Sequence, residues 1–452
     1  MIPHTRERIS GWGRYPVATS DVYRPDRTEA LSAILDSRGK QTLIPRGLGR
    51  SYGDTAINNG GSVVVATGFD RMIAFDDTSG TLECEAGVSL ETIIKTFLPR
   101  GWFIAVTPGT KFVTVGGAIA NDVHGKNHHS DGSFSDFVDS FTLLIPTGEV
   151  LTCSRDENAD VFWATVGGIG LTGFILTARI RLLPVETAYA KTDYLRARNL
   201  DELLAILVER DTGYRYSVAW IDCLATGSRM GRGVVMLGEH AMTDDLPPGI
   251  VDPYSVNKPI ALGVPIDFPP IALNPVSIRA FNEAFYAINP TSLGKLVDYD
   301  RYFYPLDSIR DWNRIYGSRG FTQYQFIVPP DAAEGLTTII RRLSDAKQAS
   351  FLAVLKRCGD GNPGLLSFPM PGWMLALDIP MTPGLPSFLR ELDRIVLDYG
   401  GRLYFAKDAT TTPETIRAMY GDGIDRLREI RKRLDPDGVL SSDMALRLEI
   451  IS

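Results

Sequence analysis

Apolar and polar positions alternate along the first third of the chain in a pattern that predicts strands interleaved with short helices. The segment TLECEAGV (81–88) is apolar at every second residue, which is typical of a strand with one buried face. Ser89 is then the expected N-cap of a helix whose apolar positions repeat at helical spacing over 90–97. The segments 141–154 and 173–184 predict a hairpin and a long strand.

The pattern changes after Pro184. Amphipathic helices are predicted over 200–210, 331–346 and 386–401, and strands over 214–222 and 372–380. These segments predict a second lobe of α+β structure. Between 240 and 300 the periodicity is weak and eight prolines lie from Pro247 to Pro275. We expect an irregular, mobile segment there that acts as a lid or a binding loop.

Composition and charge narrow the function classes. The chain has 452 residues, is 44% hydrophobic and carries a net charge of −7, which argues against general nucleic-acid binding. Its four cysteines lie far apart without a CxxC pair, so neither a zinc knuckle nor a disulfide framework is expected. We expect no signal peptide and no transmembrane helix, since no sufficiently long apolar run is present. These features predict a cytoplasmic protein.

Three glycine-rich segments lie in the first 175 residues. The third, GGIGLTG (167–173), contains a formal GxGxxG at Gly168, Gly170 and Gly173. A dinucleotide-binding βαβ unit requires a strand before this motif and a helix after it. Here the preceding residues predict a helix and the following ones a strand, so we reject that type of site.

The first two glycine segments are each suited to the approach of a ligand to the backbone. In IPRGLGRSYGD (44–54), the glycines and two arginines suit either a tight surface turn or a cradle for a pyrophosphate. In the second segment (106–129), a turn at 108–110 precedes Gly116 and Gly117, where the absence of side chains lets a flat or anionic group approach the backbone.

Three of the five histidines lie in HGKNHH (124–129), namely His124, His128 and His129. A zinc site is disfavoured, because Gly125 interrupts the helix and no carboxylate or cysteine is nearby as a further ligand. The histidines are then either ordinary structural residues or part of a wall beside a cofactor.

The order of these segments resembles the FAD-binding half of the vanillyl-alcohol oxidase type of flavoenzyme. The full set is similar to the oxidase components of decaprenylphosphoryl-β-D-ribose 2′-epimerases. It comprises GWGRYP (11–16), RGLGRSYGD (46–54), HGKNHH (124–129), FTQYQF (321–326), SFPMPGW (367–373), GGRLYFAKD (400–408) and SSDMALRLE (441–449). The resemblance implies an α+β fold with two lobes. These are an FAD-binding domain (1–186), a substrate-binding domain with an antiparallel sheet (187–400) and a C-terminal part (401–452) that returns to the FAD-binding domain.

The resemblance also implies the cofactor-binding residues. They are Arg46, Gly47, Leu48, Gly49, Arg50, Ser51, Tyr52, Gly109, Thr110, Gly116, Gly117, Asn121, His124, Gly125, Gly170, Gly173 and Lys407. Tyr52 stands where relatives with covalently attached FAD have a histidine, and the second segment has no cysteine. We therefore expect non-covalent FAD and no metal.

The implied catalytic residues are His124, Lys407 and Tyr52. Lys407 is expected to stabilise the negative charge that develops on the reduced flavin, and its apolar flank predicts burial. The proton acceptor remains open among the three.

The candidate substrate-binding residues are Lys126, Gln323, Gln325, Lys356 and Trp220. The two glutamines lie on one side of a strand by period two, which suits either sugar hydroxyls or an exposed polar strand face. The lysines are candidates for a phosphate, and Trp220 for either the core or a flat substrate surface.

Three residues depart from the mycobacterial pattern: Ala376 replaces a common cysteine, Met374 an asparagine and Phe303 a tyrosine. None of the three carries a proton or charge that hydride transfer needs, so we expect them to affect specificity.

The resemblance implies oxidation of the 2′-hydroxyl of a polyprenyl-phosphoryl-β-D-ribose to a ketone, with an NAD(P)H-dependent short-chain reductase as partner. Peripheral membrane contact through 247–276 is a further possibility. The alternatives are an aldonolactone or alditol oxidase acting on a soluble sugar, and a flavin-carrying scaffold that holds the reductase.

Overall fold

The computed structural model describes residues 3–256, 262–269, 273–348, 350 and 352–451. The N-terminal lobe contains two sheets. The strands of the first are β1 (His4–Ser10), β2 (Val17–Tyr23), β3 (Leu43–Arg46) and β4 (Ser62–Val65). Those of the second are β5 (Met72–Asp76), β6 (Thr81–Glu85), β7 (Trp102–Ile104), β8 (Val138–Leu144), β9 (Val150–Ser154) and β10 (Phe174–Pro184). The order of the first sheet is β1-β2-β4-β3, and that of the second is β5-β6-β10-β8-β9, with β7 on β10.

The C-terminal lobe is built on one large antiparallel sheet. Its part of the chain contains β11 (Tyr189–Ala197), β12 (Tyr216–Ile221), β13 (Gly233–His240), β14 (Leu262–Gly263), β15 (Ser292–Asp298), β16 (Ile309–Arg310), β17 (Phe321–Val328), β18 (Ala353–Cys358), β19 (Gly372–Pro380) and β20 (Arg402–Leu403). Eight of these strands pair in the order β15-β11-β13-β12-β18-β19-β17-β20, while β14 and β16 pair only with each other. This sheet agrees with the antiparallel substrate domain implied by the sequence.

The helices lie between and around these sheets. They are α1 (Thr28–Ser37), α2 (Leu90–Phe97), α3 (Val115–Ala120), α4 (His128–Asp131), α5 (Ala159–Thr165), α6 (Leu200–Arg210), α7 (Pro275–Ile288), α8 (Tyr299–Phe303), α9 (Ala333–Asp345), α10 (Leu385–Asp398), α11 (Pro413–Leu434) and α12 (Asp443–Arg447). The predicted N-cap of α2 is confirmed, because the Ser89 side chain accepts a hydrogen bond from the Thr92 N–H. The predicted hairpin corresponds to β8 and β9.

The two faces of the large sheet have different environments. Helices α6, α9 and α10 pack on one face in a core with Ala219, Val235, Leu355, Leu375 and Phe326. Since successive strand residues point to opposite faces, their neighbours in sequence point away from the helices. This second face is turned toward the N-terminal lobe and bears the predicted glutamine pair.

The C-terminal segment returns to the N-terminal lobe. Helices α11 and α12 share a core with Ile44 and Val63 of the first sheet. Leu440 forms an isolated parallel bridge with Leu43. The predicted division of the chain at 186 and 400 stays a prediction, and β20 of the large sheet lies just beyond its second boundary.

The prediction of an irregular segment over 240–300 is wrong for its second half. Residues 275–298 form α7 and β15, and Asn274 caps the helix with its side-chain oxygen. Pro275 occupies the first turn, where a missing N–H costs nothing, so this proline begins a helix. Residues 257–261 and 270–272 of the predicted lid lie outside the described residues. In the described part of the chain, no helix is long and apolar enough to span a bilayer.

Candidate active site

A cavity of about 590 Å³ lies between the two lobes, and each of the site residues predicted from the sequence lines it. The first glycine segment, the second glycine segment and Gly170 with Gly173 contribute from the N-terminal lobe. Gln323, Gln325, Lys356 and Trp220 contribute from the large sheet, and Lys407 from the turn that follows β20. The fold therefore brings together segments that are up to several hundred residues apart in sequence.

The first glycine segment forms one wall because it fits tightly against its neighbours. A Cβ on Gly47 would lie 2.3 Å from Oγ1 of Thr114, the residue that caps α3. Gly49 has a φ of +66°, a conformation that favours glycine. The Arg46 guanidinium donates to the carbonyl oxygens of Ala56 and Ser10 at 3.0 and 2.7 Å, which holds the loop closed. Burial lowers the pKa of Arg46 to about 10.

The second glycine segment leaves free backbone and unpaired polar atoms toward the cavity. A Cβ on Gly109 would meet no atom within 4 Å. Among the described residues, the atoms buried without a hydrogen-bond partner include Asn121 Oδ1 and His124 Nδ1 of this segment and Arg50 Nε of the first glycine segment. Buried polar atoms without partners are costly, so their presence indicates that a ligand completes them. Open glycine backbone, a cation and amide groups along one cavity fit an elongated anionic cofactor such as FAD.

Lys407 lines the cavity from the turn that follows β20. Its Nζ lies 3.8 Å from the ring centroid of Tyr52, and the Tyr52 N–H donates to the carbonyl oxygen of Ala406 at 2.8 Å. These contacts fix the lysine against the first glycine segment. Burial lowers the pKa of Lys407, while the nearby Asp378 carboxylate opposes that change. Burial raises the pKa of Tyr52 well above its usual value, so its phenol stays protonated.

Gln323 is oriented by a carboxylate that the sequence did not single out. Its Nε2 donates to Oδ1 of Asp378 at 2.5 Å, and the two residues are direct partners on β17 and β19. With Nε2 donating to Asp378, the amide oxygen is left for the cavity, and the ionised form of Asp378 enforces this orientation because a carboxylate only accepts. Burial raises the pKa of Asp378 to about 7, and the hydrogen bond from Gln323 opposes that rise.

Gln325 is paired with His124 across the cavity. The distance between Gln325 Nε2 and His124 Nε2 is 2.9 Å. The imidazole packs against the rings of Phe368 and Tyr404 at centroid distances of 5.5 and 5.2 Å. Burial, with the charges of Lys356, His128 and Lys407, lowers the pKa of His124 well below its usual value. A neutral imidazole therefore faces the cavity.

Two more lysines lie on the substrate side. Lys126 donates to the carbonyl oxygen of Tyr302 and lies 4.1 Å from the centroid of that ring. Lys356 donates to the carbonyl oxygen of Gly125 at 3.1 Å. Burial lowers the pKa of Lys126 to about 7 and that of Lys356 to about 8. Both cations are thus held in an environment that favours an anionic partner.

His128 and His129 have structural contacts, as expected. His128 Nδ1 accepts from the N–H of Gly359 at 3.2 Å, and His129 Nε2 lies 2.9 Å from the carbonyl oxygen of Tyr214. No cluster of three or more His, Cys, Asp or Glu side chains suited to a metal occurs among the described residues.

The third glycine segment is not a βαβ dinucleotide site. Helix α5 precedes it and β10 follows it, so the predicted reversal of flanks is confirmed. Gly170 has a φ of +81°, and a Cβ there would lie 3.0 Å from the ring of Pro45. The segment thus closes the cavity behind the first glycine segment.

The three residues that depart from the mycobacterial pattern, Ala376, Met374 and Phe303, all line the cavity. Sequence reasoning missed Asp378, although it follows Met374 and Ala376 at period two on β19. It also missed Tyr404, whose hydroxyl donates to the carbonyl oxygen of Asn121 at 2.7 Å. The available signal was its position inside the segment GGRLYFAKD (400–408), three residues before Lys407.

Comparisons with known proteins agree with this site. Residues 20–154 match the family model of an FAD binding domain, and residues 378–448 match that of D-arabinono-1,4-lactone oxidase. The chain is 43% identical over 456 residues to the decaprenylphosphoryl-beta-D-ribose oxidase of Mycolicibacterium smegmatis, with 100% of this chain and 99% of that protein covered. It is 36% identical over 369 residues to the uncharacterized protein in the mprA 5′ region of Streptomyces coelicolor, covering 80% of this chain and 100% of that protein. The D-lactate dehydrogenase of Anaerostipes hadrus is 26% identical over 186 residues, which is 39% of each chain.

Full-length similarity at this level places both lobes, and not the cofactor domain alone, within one family. The FAD binding domain model covers the lobe that contributes the glycine walls of the cavity. The chain therefore belongs to the family of FAD-dependent oxidases that includes the decaprenylphosphoryl-β-D-ribose oxidase of Mycolicibacterium smegmatis.

Proposed function

We propose that the protein oxidises the 2′-hydroxyl of a polyprenyl-phosphoryl-β-D-ribose to a ketone, the first half of a 2′-epimerisation that leads to the arabinose donor. One observation carries the proposal. A single cavity contains a buried lysine beside the glycine walls, two amides on one strand and two further lysines. The order of these groups matches a redox centre, a sugar and a phosphate. The relative with the printed name of a decaprenylphosphoryl-ribose oxidase supports the same substrate class.

Oxidation of a secondary alcohol removes a hydride from carbon and a proton from the hydroxyl. Bound FAD supplies the hydride acceptor. The residues that would hold it are the glycine walls with Arg50 and Asn121. Gln323 presents its amide oxygen to the substrate and accepts a hydrogen bond from a sugar hydroxyl. The hydrogen-bonded pair of Gln325 and His124 limits how the sugar ring can turn. The rings of Phe368 and Tyr404, which pack against His124, exclude water.

Lys407 is the best suited of the three proton acceptors considered. Burial holds the Tyr52 phenol protonated, and burial with the neighbouring cations lowers the pKa of His124 well below its usual value, which makes the imidazole a weak base. The lowered pKa of Lys407 makes its neutral amine available. On taking the hydroxyl proton at Nζ, Lys407 becomes an ammonium as negative charge reaches the cofactor, so one residue serves as base and counter-charge.

The decisive experiment is anaerobic mixing of the purified yellow protein with synthetic prenyl-phosphoryl ribose. We expect the flavin to bleach, with one ketone formed for each flavin reduced. Galactonolactone and ribitol serve as controls, because oxidation of a soluble sugar is the alternative and residues 378–448 match the D-arabinono-1,4-lactone oxidase model. Bleaching by the soluble sugars and not by the prenyl substrate would replace the proposal with the lactone oxidase.

Substitution of Lys407 separates an enzyme from a flavin-carrying scaffold. We expect Lys407→Ala to keep FAD but to lower the rate of flavin reduction about 10²- to 10³-fold, as for loss of one preorganised electrostatic group. Lys407→Arg is the matched control that keeps a cation. Unchanged turnover in Lys407→Ala would favour the scaffold.

We propose that FAD is bound without a covalent link. Among the described residues, none of the four cysteines lines the cavity, and Tyr52 occupies the place of a linking histidine. Denaturation is expected to release all yellow colour into the supernatant. Colour that stays with the pellet would overturn this proposal.

We also propose a cytoplasmic NAD(P)H-dependent short-chain reductase as the partner that reduces the ketone, together with peripheral contact with the membrane. Adding such a reductase with NADPH to the oxidase reaction is expected to convert ribose substrate to the arabinose epimer. Flotation with anionic vesicles tests the membrane contact, and failure to co-float with and without the prenyl substrate would contradict it.

A further inference from the structure

The cavity extends beyond the catalytic groups across the free face of the large sheet. Gln325 on β17 pairs with Ala376 on β19, Ala376 pairs with Val354 on β18, and Val354 pairs with Trp220 on β12. All four side chains line the cavity. Cross-strand partners stand side by side on one face of a sheet, so they form a straight row. The row leads away from the His124–Gln325 pair.

A second row continues to the far strands. Val218 lies two residues before Trp220 on the same face, and it pairs with Met236, which pairs with Tyr194. These three side chains also line the cavity. Neighbouring strands are about 4.8 Å apart, so the path from β17 to β11 crosses five strand spacings, or roughly 24 Å. Beyond the amides the side chains of the two rows are apolar except for the Trp220 indole N–H and the Tyr194 hydroxyl.

Helix α7 covers this path. Phe281 and Phe285 of the helix line the same cavity, and the Phe285 and Trp220 rings lie 4.6 Å apart. The helix is held to the sheet by the Asn282 side chain, whose Nδ2 donates to Oδ1 of the buried Asp222 at 2.7 Å. A second link runs from Arg232 to Glu283 on the helix. The apolar rows therefore lie under helix α7, which these two polar contacts hold to the sheet.

The chemistry changes in a defined order along the path. The amides of Gln323 and Gln325 lie on β17 at the redox end, and the small Ala376 lies on the next strand. Lys356 lies on the strand after that, and the larger apolar side chains of the rows lie on the same strand as Lys356 or beyond it. A polyprenyl-phosphoryl sugar has the same order of parts: hydroxyls, then a phosphate, then a hydrocarbon. The charge and polarity of the path therefore match this amphiphile from end to end.

We propose that the two rows, consisting of Ala376, Val354, Trp220, Val218, Met236 and Tyr194, bind the isoprenoid tail of the substrate under α7 and set the preferred tail length. This inference rests on the proposed function. Hydrocarbon buried there leaves water, which is favourable in proportion to the area covered. The first isoprene units contact Val354 and Trp220, beyond the phosphate at Lys356, and only a longer tail reaches Val218 and Met236.

The test compares geranyl- and decaprenyl-phosphoryl ribose with variants that fill the far row. In Val218→Phe and Met236→Trp, we expect the KM for the decaprenyl substrate to rise roughly tenfold or more, with little change for the geranyl substrate. Val208→Phe is the matched control, because Val208 is exposed on α6 on the opposite face of the sheet. Flavin content and thermal melting verify that each variant is folded. We expect the protein to tolerate Met236→Trp better than Val218→Phe, because Met236 is only half-buried.

The outcomes separate this inference from the proposed function. If the wild-type protein oxidises both substrates with the same KM, or if the variants impair both equally, the tail does not bind along the rows. If the wild-type protein oxidises neither substrate, the proposed function itself fails. A folded Met236→Trp protein with unchanged KM for the decaprenyl substrate would also overturn the inference.

Discussion

The carboxylate of Asp378 decides which end of the Gln323 amide faces the cavity. An amide has a donor end and an acceptor end of nearly the same shape, so its orientation depends on its partner. Here the partner is buried, ionisable and directly across the strand. A single residue behind the cavity therefore determines that the substrate meets an acceptor.

This dependence predicts the effect of Asp378→Asn. The new amide can donate to Gln323, which lets that side chain turn its nitrogen toward the substrate. We expect kcat/KM to fall about tenfold or more, with FAD retained. The reversed pair, Asp378→Asn with Gln323→Glu, restores a fixed acceptor and is expected to recover part of the loss. A double variant no better than the single one would contradict the orienting role.

The substrate-side lysines predict a pH dependence of anion binding. The pKa of Lys126 is lowered to about 7 and that of Lys356 to about 8, so both are mostly cationic at about pH 6 and both are mostly neutral at about pH 9. An anion binds the protonated form, and its affinity must fall as pH rises through this window. We expect the Kd of a prenyl methyl phosphodiester, whose own charge stays constant, to rise at least about tenfold from about pH 6 to 9. A Kd independent of pH would show that these lysines do not contact the phosphate.

At the scale of elements, α7 is attached to the large sheet by a few buried polar contacts. Asp222 accepts hydrogen bonds from Asn282, Arg232 and the Leu224 N–H, and it is almost fully buried. A hydrogen bond to a charged group contributes about 1.5–3 kcal/mol. The position of the helix over the sheet therefore depends on specific side chains.

Asn282→Ala removes one of these contacts. We expect faster amide hydrogen exchange across α7, because the free energy of local opening falls by about 1–3 kcal/mol. Exchange in α10, on the opposite face of the sheet, serves as the internal control. Equal acceleration in both helices would indicate global destabilisation and contradict a local anchoring role.

At the scale of the whole molecule, the C-terminal segment connects the N-terminal lobe to the turn that contains Lys407. Arg447 on α12 pairs with Asp54 at 2.7 Å and with Asp408 at 2.8 Å. Asp54 ends the first glycine segment, and Asp408 follows Lys407. One guanidinium thus joins three parts of the chain that are distant in sequence.

Arg447→Leu leaves two buried carboxylates without a counter-charge. We expect the free energy of unfolding to fall by about 3–5 kcal/mol and FAD to dissociate at a lower temperature. Arg417→Leu breaks an exposed pair with Asp425 and is expected to cost less than about 1 kcal/mol. Thermal melts followed by flavin fluorescence compare the two variants, and equal melting temperatures would refute this connecting role.

The sequence alone determined most local elements outside 275–298, and its resemblance to a family indicated the fold class and the segments that line the cavity. Period-two and helical patterns indicate which side of each element is buried. They can be recognised in the sequence without knowing which other elements pack against that side. Ser89 as a helix cap and the reversed flanks of the third glycine segment are of this local kind. The family resemblance supplied the cofactor and assigned Lys407, whose place in the cavity no local pattern specifies.

Only the tertiary structure decided which residues meet. Asp378 orients Gln323, and the rows from Ala376 to Tyr194 form one path, because strand register aligns residues that no sequence spacing relates. The helix at 275–288 is a similar case, since its anchoring through Asn282 depends on Asp222 from another strand. Local patterns specify which face of an element is buried, whereas the contents of a site follow from long-range pairing.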